Sequence, residues 1–215
     1  MGRFFDWFDS RFGIREPHRR FLKRRIPAGI TYAYCFGGMA FTFFVILAIS
    51  GFFLSLHYVP SEREAYRSIV FINETVMLGW LIRGIHKWSA TCFIVCILLH
   101  TIRVIASRAY RPPRELNWMA GVLTIVLALA SGFTGYLLPW DQRAYWATEV
   151  GTSMFETVPL VGQYLLFAVR GGPDITGLTL VRFYSMHVLF LPGSMALILY
   201  AHFHMVKRQG IAREL

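Results

Sequence analysis

The sequence predicts an all-α membrane protein built as a bundle of four transmembrane helices. Of its 215 residues, 55% are hydrophobic and 16% are aromatic, and the mean hydropathy is +0.47. This composition is too apolar for an ordinary soluble domain and suits a polytopic membrane protein. A helix needs ~20 mostly apolar residues to cross a bilayer. Four stretches meet this requirement: Ala33–Leu56, Leu78–Val104, Met119–Leu138 and Phe183–Val206.

Residues 1–32 are predicted to lie on the membrane surface ahead of the first span. Charged and aromatic residues interleave between Arg3 and Phe12, which is typical of an amphipathic interfacial helix rather than of a cleavable signal. We therefore divide the chain into this segment, a four-helix bundle at 33–206 and a basic tail at 207–215. A fifth apolar stretch, Val158–Val169, is too short to span a bilayer and is expected to form an interfacial or buried helix.

The basic residues are distributed unevenly, and their distribution predicts the orientation. The formal net charge is +10. Residues 1–32, the 105–118 loop and the tail after His204 hold fourteen Lys and Arg, whereas the 57–77 and 139–182 loops hold five. By the positive-inside rule, both termini lie on the cytoplasmic or equivalent negative side. The charge thus orients the protein and suits anionic lipid or cofactor carboxylates, and no nucleic acid is expected as a partner.

Four histidines are the main functional signal. His86 and His100 lie 14 residues apart in the second span, and His187 and His202 lie 15 apart in the fourth. Fourteen helical residues rise roughly 21 Å in about four turns, so both members of a pair face nearly the same way. Two such helices would bring the histidines together at two levels. Facing imidazoles at two levels are what two stacked haems require as axial ligands, which predicts electron transfer across the membrane.

The topology predicts which histidines pair. The second and fourth spans run in the same direction, because an even number of crossings separates their starts. His86 is then level with His187 near the positive side, and His100 with His202 near the negative side. A single histidine in a membrane helix is more often a satisfied polar residue than a ligand, but four at matched depths favour ligands.

Glycines repeat at the same step in the other two spans. Gly37 and Gly51 lie 14 residues apart in the first span, and so do Gly121 and Gly135 in the third. A glycine inside a helix costs roughly 1 kcal/mol against alanine, so four at one period need a packing reason. The edge of a flat macrocycle against each helix backbone supplies one. Close packing between membrane helices is the alternative explanation.

Two arginines and one cysteine lie near the predicted ligands. Arg83 and Arg103 each stand three residues from one of them. Charges there are costly unless they snorkel or are paired, and haem propionates are anionic partners within reach. Cys35 begins the first span at the level of His100 and His202. Because the sequence has no Cys-x-x-Cys-His motif, spacing alone favours a structural role for this cysteine.

The loop after the third span combines aromatic and acidic residues. Pro139 ends the helix, and Trp140 suits the membrane interface. Together with Tyr136 and Asp141 at the positive-side level, these residues are candidates to line a quinol pocket. An interfacial aromatic belt explains them equally well.

These residues belong to longer motifs that resemble cytochrome b of the quinol-oxidising bc-type complexes, in the split four-helix form called cytochrome b6. The resemblance covers nearly the whole chain. Its motifs are Tyr34-Cys35-x-Gly37-Gly38, Gly79-Trp80-Leu81-Ile82-Arg83, His86-x-Trp88-Ser89-Ala90, Arg114-Glu115-Leu116-x-Trp118, Gly132-x-Thr134-Gly135-Tyr136-x-Leu138-Pro139-Trp140-Asp141-Gln142 and Arg182-Phe183-Tyr184-Ser185-x-His187. The 15-residue step in the fourth span is also a mark of the split form. The stretch 172–175 resembles the menaquinol-oxidising bacterial versions more than the photosynthetic ones.

The resemblance implies a role for each matching residue. His86 and His187 would ligate the iron of a positive-side b haem, and His100 and His202 that of a negative-side b haem. Two arginines would hold propionates, and a cysteine would form one thioether to a third, c-type haem. The residues in question are Arg83, Arg103 and Cys35. Tyr136 and the Pro139–Gln142 loop would line part of the quinol oxidation pocket.

The negative side departs from the family pattern at two places. The chloroplast-type pattern has an acid near position 20 and Arg-Lys-Gln-Gly in the tail, whereas this chain has Arg20 and reads Lys207-Arg208-Gln209-Gly210. Lys207 is therefore a candidate cofactor-binding residue whose proton and quinone handling differs from that pattern.

The resemblance also implies partners. The sequence has no Pro-Glu-Trp-Tyr stretch, so the other half of the pocket is expected from a three-helix protein like the family's subunit IV. A Rieske iron–sulfur protein and a c-type cytochrome would complete a dimeric complex. That complex would lie in a bacterial plasma membrane or, alternatively, a thylakoid membrane.

We therefore expect the haem-binding subunit of a quinol:cytochrome c, or plastocyanin-type, oxidoreductase, active only within its complex and contributing to proton translocation. Two alternatives remain open. One is the dihaem membrane anchor of a dehydrogenase or hydrogenase, against which the paired glycines and the Pro-Trp-Asp-Gln loop argue. The other is a haem-free membrane transport or assembly protein.

Overall fold

The computed structural model describes residues 31–210 and, ahead of them, only residues 6, 7, 9–11, 13 and 16. Most of the predicted N-terminal amphipathic helix, and residues 211–215 of the tail, lie outside this part. Over residues 31–210 the chain is helical and has no strand. The α-helices are α1 (Phe36–Ser55), α2 (Ala65–Glu74), α3 (Gly79–Ala106), α4 (Glu115–Leu137), α5 (Gln142–Ser153), α6 (Gly162–Arg170), α7 (Gly177–Ser185) and α8 (Leu191–Gln209).

Four helices are long and apolar enough to cross a membrane, which confirms the predicted fold class. They span Tyr32–Ser55, Gly79–Ala106, Glu115–Leu137 and Gly177–Gln209. The fourth begins six residues before its predicted start at Phe183. The reason is a capping box, in which Thr176 and Thr179 exchange side-chain and backbone hydrogen bonds and so begin the helix ahead of the apolar stretch.

The four membrane helices pack as two pairs around an apolar centre. The first helix contacts mainly the second, and the third contacts mainly the fourth. Buried residues from all four helices form one cluster: Ala40, Phe44, Phe93, Cys96, Ile97, Ala128 and Met195. In each helix these residues lie about midway between the two histidine or glycine positions. An apolar layer therefore separates the two levels of the bundle.

A π turn interrupts the fourth membrane helix at Met186–Phe190. The Leu191 N–H donates to the Met186 carbonyl, five residues back instead of four. Pro192 follows at the start of α8; a proline has no N–H to give the carbonyl four residues before it, and this favours a local irregularity there. The turn takes up one extra residue. The 15-residue step from His187 to His202 is thereby equivalent to the 14-residue step of a regular helix.

The longest connection contains the predicted fifth helix, but shifted toward its C-terminal end. The expected segment Val158–Val169 is a helix only from Gly162, and a short 3₁₀ turn at Met154–Thr157 precedes it. Arg170 ends this helix with its side chain buried. Its guanidinium donates to Thr152 Oγ1 at 2.6 Å, to the Pro173 carbonyl at 2.8 Å and to the Glu149 carbonyl at 3.0 Å. One buried arginine therefore joins α5, α6 and the following loop.

Candidate functional site

The structure brings His86 and His187 together at one end of the bundle. His86 lies on α3 and His187 in the π turn, and their ring centres are 6.3 Å apart with the rings inclined at 72°. Both side chains are partly buried between the helices. The two histidines predicted to pair near the positive side therefore do face each other.

Neighbouring helices hold the Nδ1 atoms of this pair. His86 Nδ1 lies 2.8 Å from Ser50 Oγ. His187 Nδ1 lies 2.9 Å from the Ser131 carbonyl and 3.5 Å from Thr134 Oγ1. A carbonyl oxygen only accepts, so His187 Nδ1 carries the proton and donates it. Its Nε2 is then free to bind a metal.

The second pair, His100 and His202, is less symmetrically held. His202 Nδ1 lies 3.2 Å from the Asn117 carbonyl. His100 Nδ1 is buried and has no hydrogen-bond partner among residues 31–210. The two imidazoles are close enough to interact electrostatically. The structure thus sets one histidine from α3 near one from α8 at this level as well.

Each predicted glycine lies opposite one histidine. A Cβ built on Gly135 would lie 2.5 Å from His187 Cε1, and one on Gly37 would lie 3.0 Å from the His100 ring. The corresponding distances are 3.1 Å from Gly51 to His86 and 3.8 Å from Gly121 to His202. The expected contact was with the edge of a macrocycle. The structure shows that the helices approach so closely that the imidazoles themselves occupy the space a side chain would need.

These pairs suit a metal with two protein ligands. A metal–nitrogen bond of about 2 Å, with about 1.1 Å from nitrogen to ring centre, places two imidazoles on one ion with centres about 6 Å apart. The 6.3 Å between His86 and His187 matches that distance. The described residues hold no group of three or more His, Cys, Asp or Glu side chains placed for a metal ion. A haem needs only two axial ligands, because its macrocycle supplies the others.

The charged and thiol candidates occupy different surroundings. Arg83 is half-buried one turn before His86. The Arg103 guanidinium lies over the Tyr34 ring, 3.5 Å from its centre. Cys35 is exposed at the end of the 3₁₀ turn that leads into α1, and Lys207 is exposed in the last turn of α8. Arg103 thus lies beside the residue that precedes Cys35.

The predicted pocket loop is well defined. Tyr136 is 54% exposed, and the Asp141 carboxylate caps α5 by accepting from the Ala144 N–H at 2.8 Å. Trp140 has a backbone φ of +53°, a left-handed conformation that non-glycine residues adopt at a cost. Its ring meets that of Tyr145 edge to face at 6.1 Å. The surrounding structure therefore holds this corner in a strained shape.

Tyr58 is a residue that the sequence argument missed. It is 9% exposed, and its hydroxyl donates to the Leu138 carbonyl at 2.6 Å. Its ring stacks on Tyr184 at 5.4 Å, one turn before His187. Burial raises the pKa of Tyr58 above its ordinary value, so the hydroxyl remains a donor. Only its place at the end of the first span could have drawn attention to it.

Ser50 was missed for a different reason. A serine beside a glycine in a membrane helix is ordinary for helix packing. Its buried hydroxyl becomes informative only when His86 is seen next to it.

Four membrane helices with facing histidine pairs define a membrane-embedded haem-binding bundle. The chain belongs to the cytochrome b family, because the profile described as Cytochrome b/b6/petB matches residues 21–210. Membership implies that the chain binds haem b. The predicted resemblance is thereby confirmed.

Relatives of two kinds match over the full length. The chain is 41% identical over 212 residues to cytochrome b6 of Cyanidium caldarium, covering 99% of both chains. It is 41% identical over 220 residues to the menaquinol:cytochrome c reductase cytochrome b subunit of Bacillus subtilis (strain 168), covering 99% of this chain and 98% of that one. Identity therefore does not separate the two kinds.

A solved structure has the same fold. A chain of a hyperthermophilic respiratory Complex III superposes with a TM-score of 0.87 at 33% identity, over 96% of this chain and 55% of that one. This chain thus spans about half the length of that subunit. The relatives are subunits of multi-subunit oxidoreductases, and the four helices indicate a multi-pass membrane protein.

Proposed function

We propose that the chain is the haem-binding subunit of a quinol:cytochrome c or plastocyanin-type oxidoreductase. It would oxidise quinol at the positive side and deliver electrons to a quinone at the negative side. The observation that carries this proposal is the facing of His86 and His187 with ring centres 6.3 Å apart. Full-length identity to the subunit of a menaquinol:cytochrome c reductase supports it.

The four histidines would hold two b haems. His86 and His187 would ligate the positive-side iron, and His100 and His202 the negative-side iron. When bound, the haems supply reversible one-electron chemistry at two depths of the membrane. Moving a charge between those depths works against about 2.3 kcal/mol per 100 mV, which is how the complex would contribute to proton translocation.

Four glycines and two arginines would complete the cofactor sites. Gly37, Gly51, Gly121 and Gly135 allow the close approach that brings each imidazole against a helix backbone. Arg83 and Arg103 would pair with propionates, with Arg103 leaving its place on the Tyr34 ring to do so. A guanidinium donates two parallel hydrogen bonds to a carboxylate, which suits this task.

The negative side would also hold Cys35 and Lys207. Cys35 is exposed and beside Tyr34, whose ring Arg103 covers, so a thioether to a c-type haem there would lie at the level of His100. Lys207 is exposed near the end of α8, where its charge would attract a propionate or a quinone oxygen.

Tyr136, Pro139, Trp140 and Asp141 would form one wall of the quinol pocket. The loop is held by the Asp141 cap and the hydrogen bond from Tyr58, which suits a wall that must keep its shape. We infer that a subunit-IV-like three-helix protein supplies the other wall. A Rieske protein and a c-type cytochrome would take the electrons onward, in a dimeric complex that binds quinol and membrane lipid and no nucleic acid.

We infer that both termini lie on the cytoplasmic side of a bacterial plasma membrane, with a thylakoid membrane as the alternative. Residues 1–32 would form the surface segment, 33–206 the haem-binding bundle and 207–215 the basic tail. The excess of Lys and Arg in the segments that share this side supports the orientation.

The test is haem content and activity of the purified complex carrying His86→Ala. We expect a reduced-minus-oxidised spectrum with one b haem instead of two, and loss of quinol-dependent cytochrome c reduction. His57→Ala is the matched control, because His57 is exposed at the end of α1, against Phe71. A His86→Ala complex that keeps both haems would overturn the proposal.

The covalent haem has its own test. Haem should stay on the denatured wild-type polypeptide and be lost in Cys35→Ala, because a thioether survives unfolding whereas axial ligation does not. Cys92→Ala, in the middle of α3, should keep it. Covalent haem in Cys35→Ala would refute the role proposed for this cysteine.

A further inference from the structure

Ser50 joins the first membrane helix to the proposed ligand His86. It is 6% exposed on α1, next to Gly51, and its Oγ lies 2.8 Å from His86 Nδ1. The same Oγ lies 2.6 Å from the Ile46 carbonyl and 3.3 Å from the Leu47 carbonyl. Ser50 is therefore hydrogen-bonded both to its own helix and to a histidine of α3.

The proton count at Ser50 decides the tautomer of His86. A hydroxyl has one hydrogen, and carbonyl oxygens only accept, so the Ser50 hydrogen goes to the helix carbonyls. Toward His86, Ser50 Oγ can then only accept, and Nδ1 must carry the proton. A neutral imidazole has one N–H, so His86 Nε2 has a free lone pair.

We propose that Ser50 is a positioning residue for His86, which it holds in the metal-binding tautomer and makes a stronger electron donor to iron. The inference rests on the proposed function, since it requires His86 to ligate a haem. A hydrogen-bond acceptor on the far nitrogen fixes the ring and raises the donor strength of the ligand. Stronger donation stabilises oxidised iron, so Ser50 lowers the reduction potential of the positive-side haem.

The two levels of the bundle differ in this respect. At the negative side, His202 meets a carbonyl at the longer distance of 3.2 Å, and His100 Nδ1 has no partner among residues 31–210. Ligands there are weaker donors. The difference favours movement of an electron from the positive-side level to the negative-side level.

The experiment is a potentiometric titration of both b haems in the intact complex carrying Ser50→Ala. We expect the midpoint potential of the positive-side haem to rise and that of the negative-side haem to stay unchanged. Haem content should remain at the wild-type level, because the Leu47 carbonyl also faces the His86 ring and retains it. Ser50→Thr keeps a hydroxyl and should restore the wild-type potential.

Thr42→Val is the matched control. Thr42 donates to the Gly38 carbonyl at 3.1 Å on the same helix, and none of its described hydrogen bonds goes to a histidine. Removing this hydroxyl should shift neither potential. If Ser50→Ala does not assemble, Ser50→Cys replaces it, because a thiol accepts weakly and should produce a smaller upward shift.

The outcomes separate this inference from the proposed function. An unchanged potential in the Ser50 variant, an equal shift at both haems, or no rescue by threonine would overturn the role of Ser50 while leaving His86 as a ligand. A His86→Ala complex that retains both haems would instead overturn the ligation on which the inference rests.

Discussion

The hydroxyl of Tyr58 donates a 2.6 Å hydrogen bond to the carbonyl of Leu138. The bond joins the end of the first membrane helix to the point where the third one stops. Because α4 ends at Leu137, the Leu138 carbonyl has no donor in a continuing helix turn, and Tyr58 supplies one. This contact immediately precedes the strained Pro139–Trp140 corner of the proposed quinol pocket.

Tyr58→Phe should weaken both the fold and the pocket. Removing the hydroxyl leaves a buried carbonyl without a partner, so we expect the complex to lose about 1–3 kcal/mol of stability. The KM for quinol should rise more than kcat falls, because the loop loses its position and not a reacting group. Thermal denaturation and steady-state kinetics measure the two effects. Tyr66→Phe, at an exposed tyrosine of α2, should change neither; equal kinetics for the two variants would contradict the prediction.

Gly135→Ala should abolish the positive-side haem. The new Cβ would lie 2.5 Å from His187 Cε1 and 2.9 Å from Nδ1, so the ring must leave its place. We expect occupancy of that haem to fall about tenfold or more, measured in the difference spectrum. Gly132→Ala is the control, since a Cβ there meets nothing within 4 Å. It should keep both haems and stabilise the helix by up to about 1 kcal/mol.

Deleting Leu189 should leave both haems bound. The deletion falls in the π turn and removes the extra residue, so a regular helix can hold His187 and His202 at the 14-residue step. Deleting Leu98 from α3 is the matched change, because the segment between His86 and His100 is regular helix. One missing residue there turns a ligand by about 100°. Loss of haem from the Leu189 deletion alone would show that the π turn itself is required.

Arg170→Met should loosen the long connection between the third and fourth membrane helices. The side chain is 4% exposed and pairs with Glu149 Oε1 at 3.1 Å, so its loss breaks a largely buried network. We expect a cost of about 3–5 kcal/mol and faster proteolysis within residues 142–176. Arg67→Met removes an exposed ion pair with Glu64 and should cost less than about 1 kcal/mol. Similar cleavage rates for both variants would refute this role of Arg170.

The spans and the histidine pairing could be predicted because both depend on local rules. An apolar run of sufficient length can only be satisfied by crossing the bilayer, and an even number of crossings sets His86 level with His187. The start of the fourth helix could not be predicted as well. It depends on the Thr176 capping box, which lies ahead of the apolar run.

The sequence by itself determined the number of membrane helices, the histidine and glycine periods and the likeness to cytochrome b, because these follow from spacing along one helix. Only the tertiary structure decided that Ser50 faces His86, that Tyr58 reaches Leu138 and that Gly135 lies against His187. Each of these pairs joins residues at least 36 positions apart. Their contact depends on how two helices are rotated and how closely they pack, which no period within a single helix can specify.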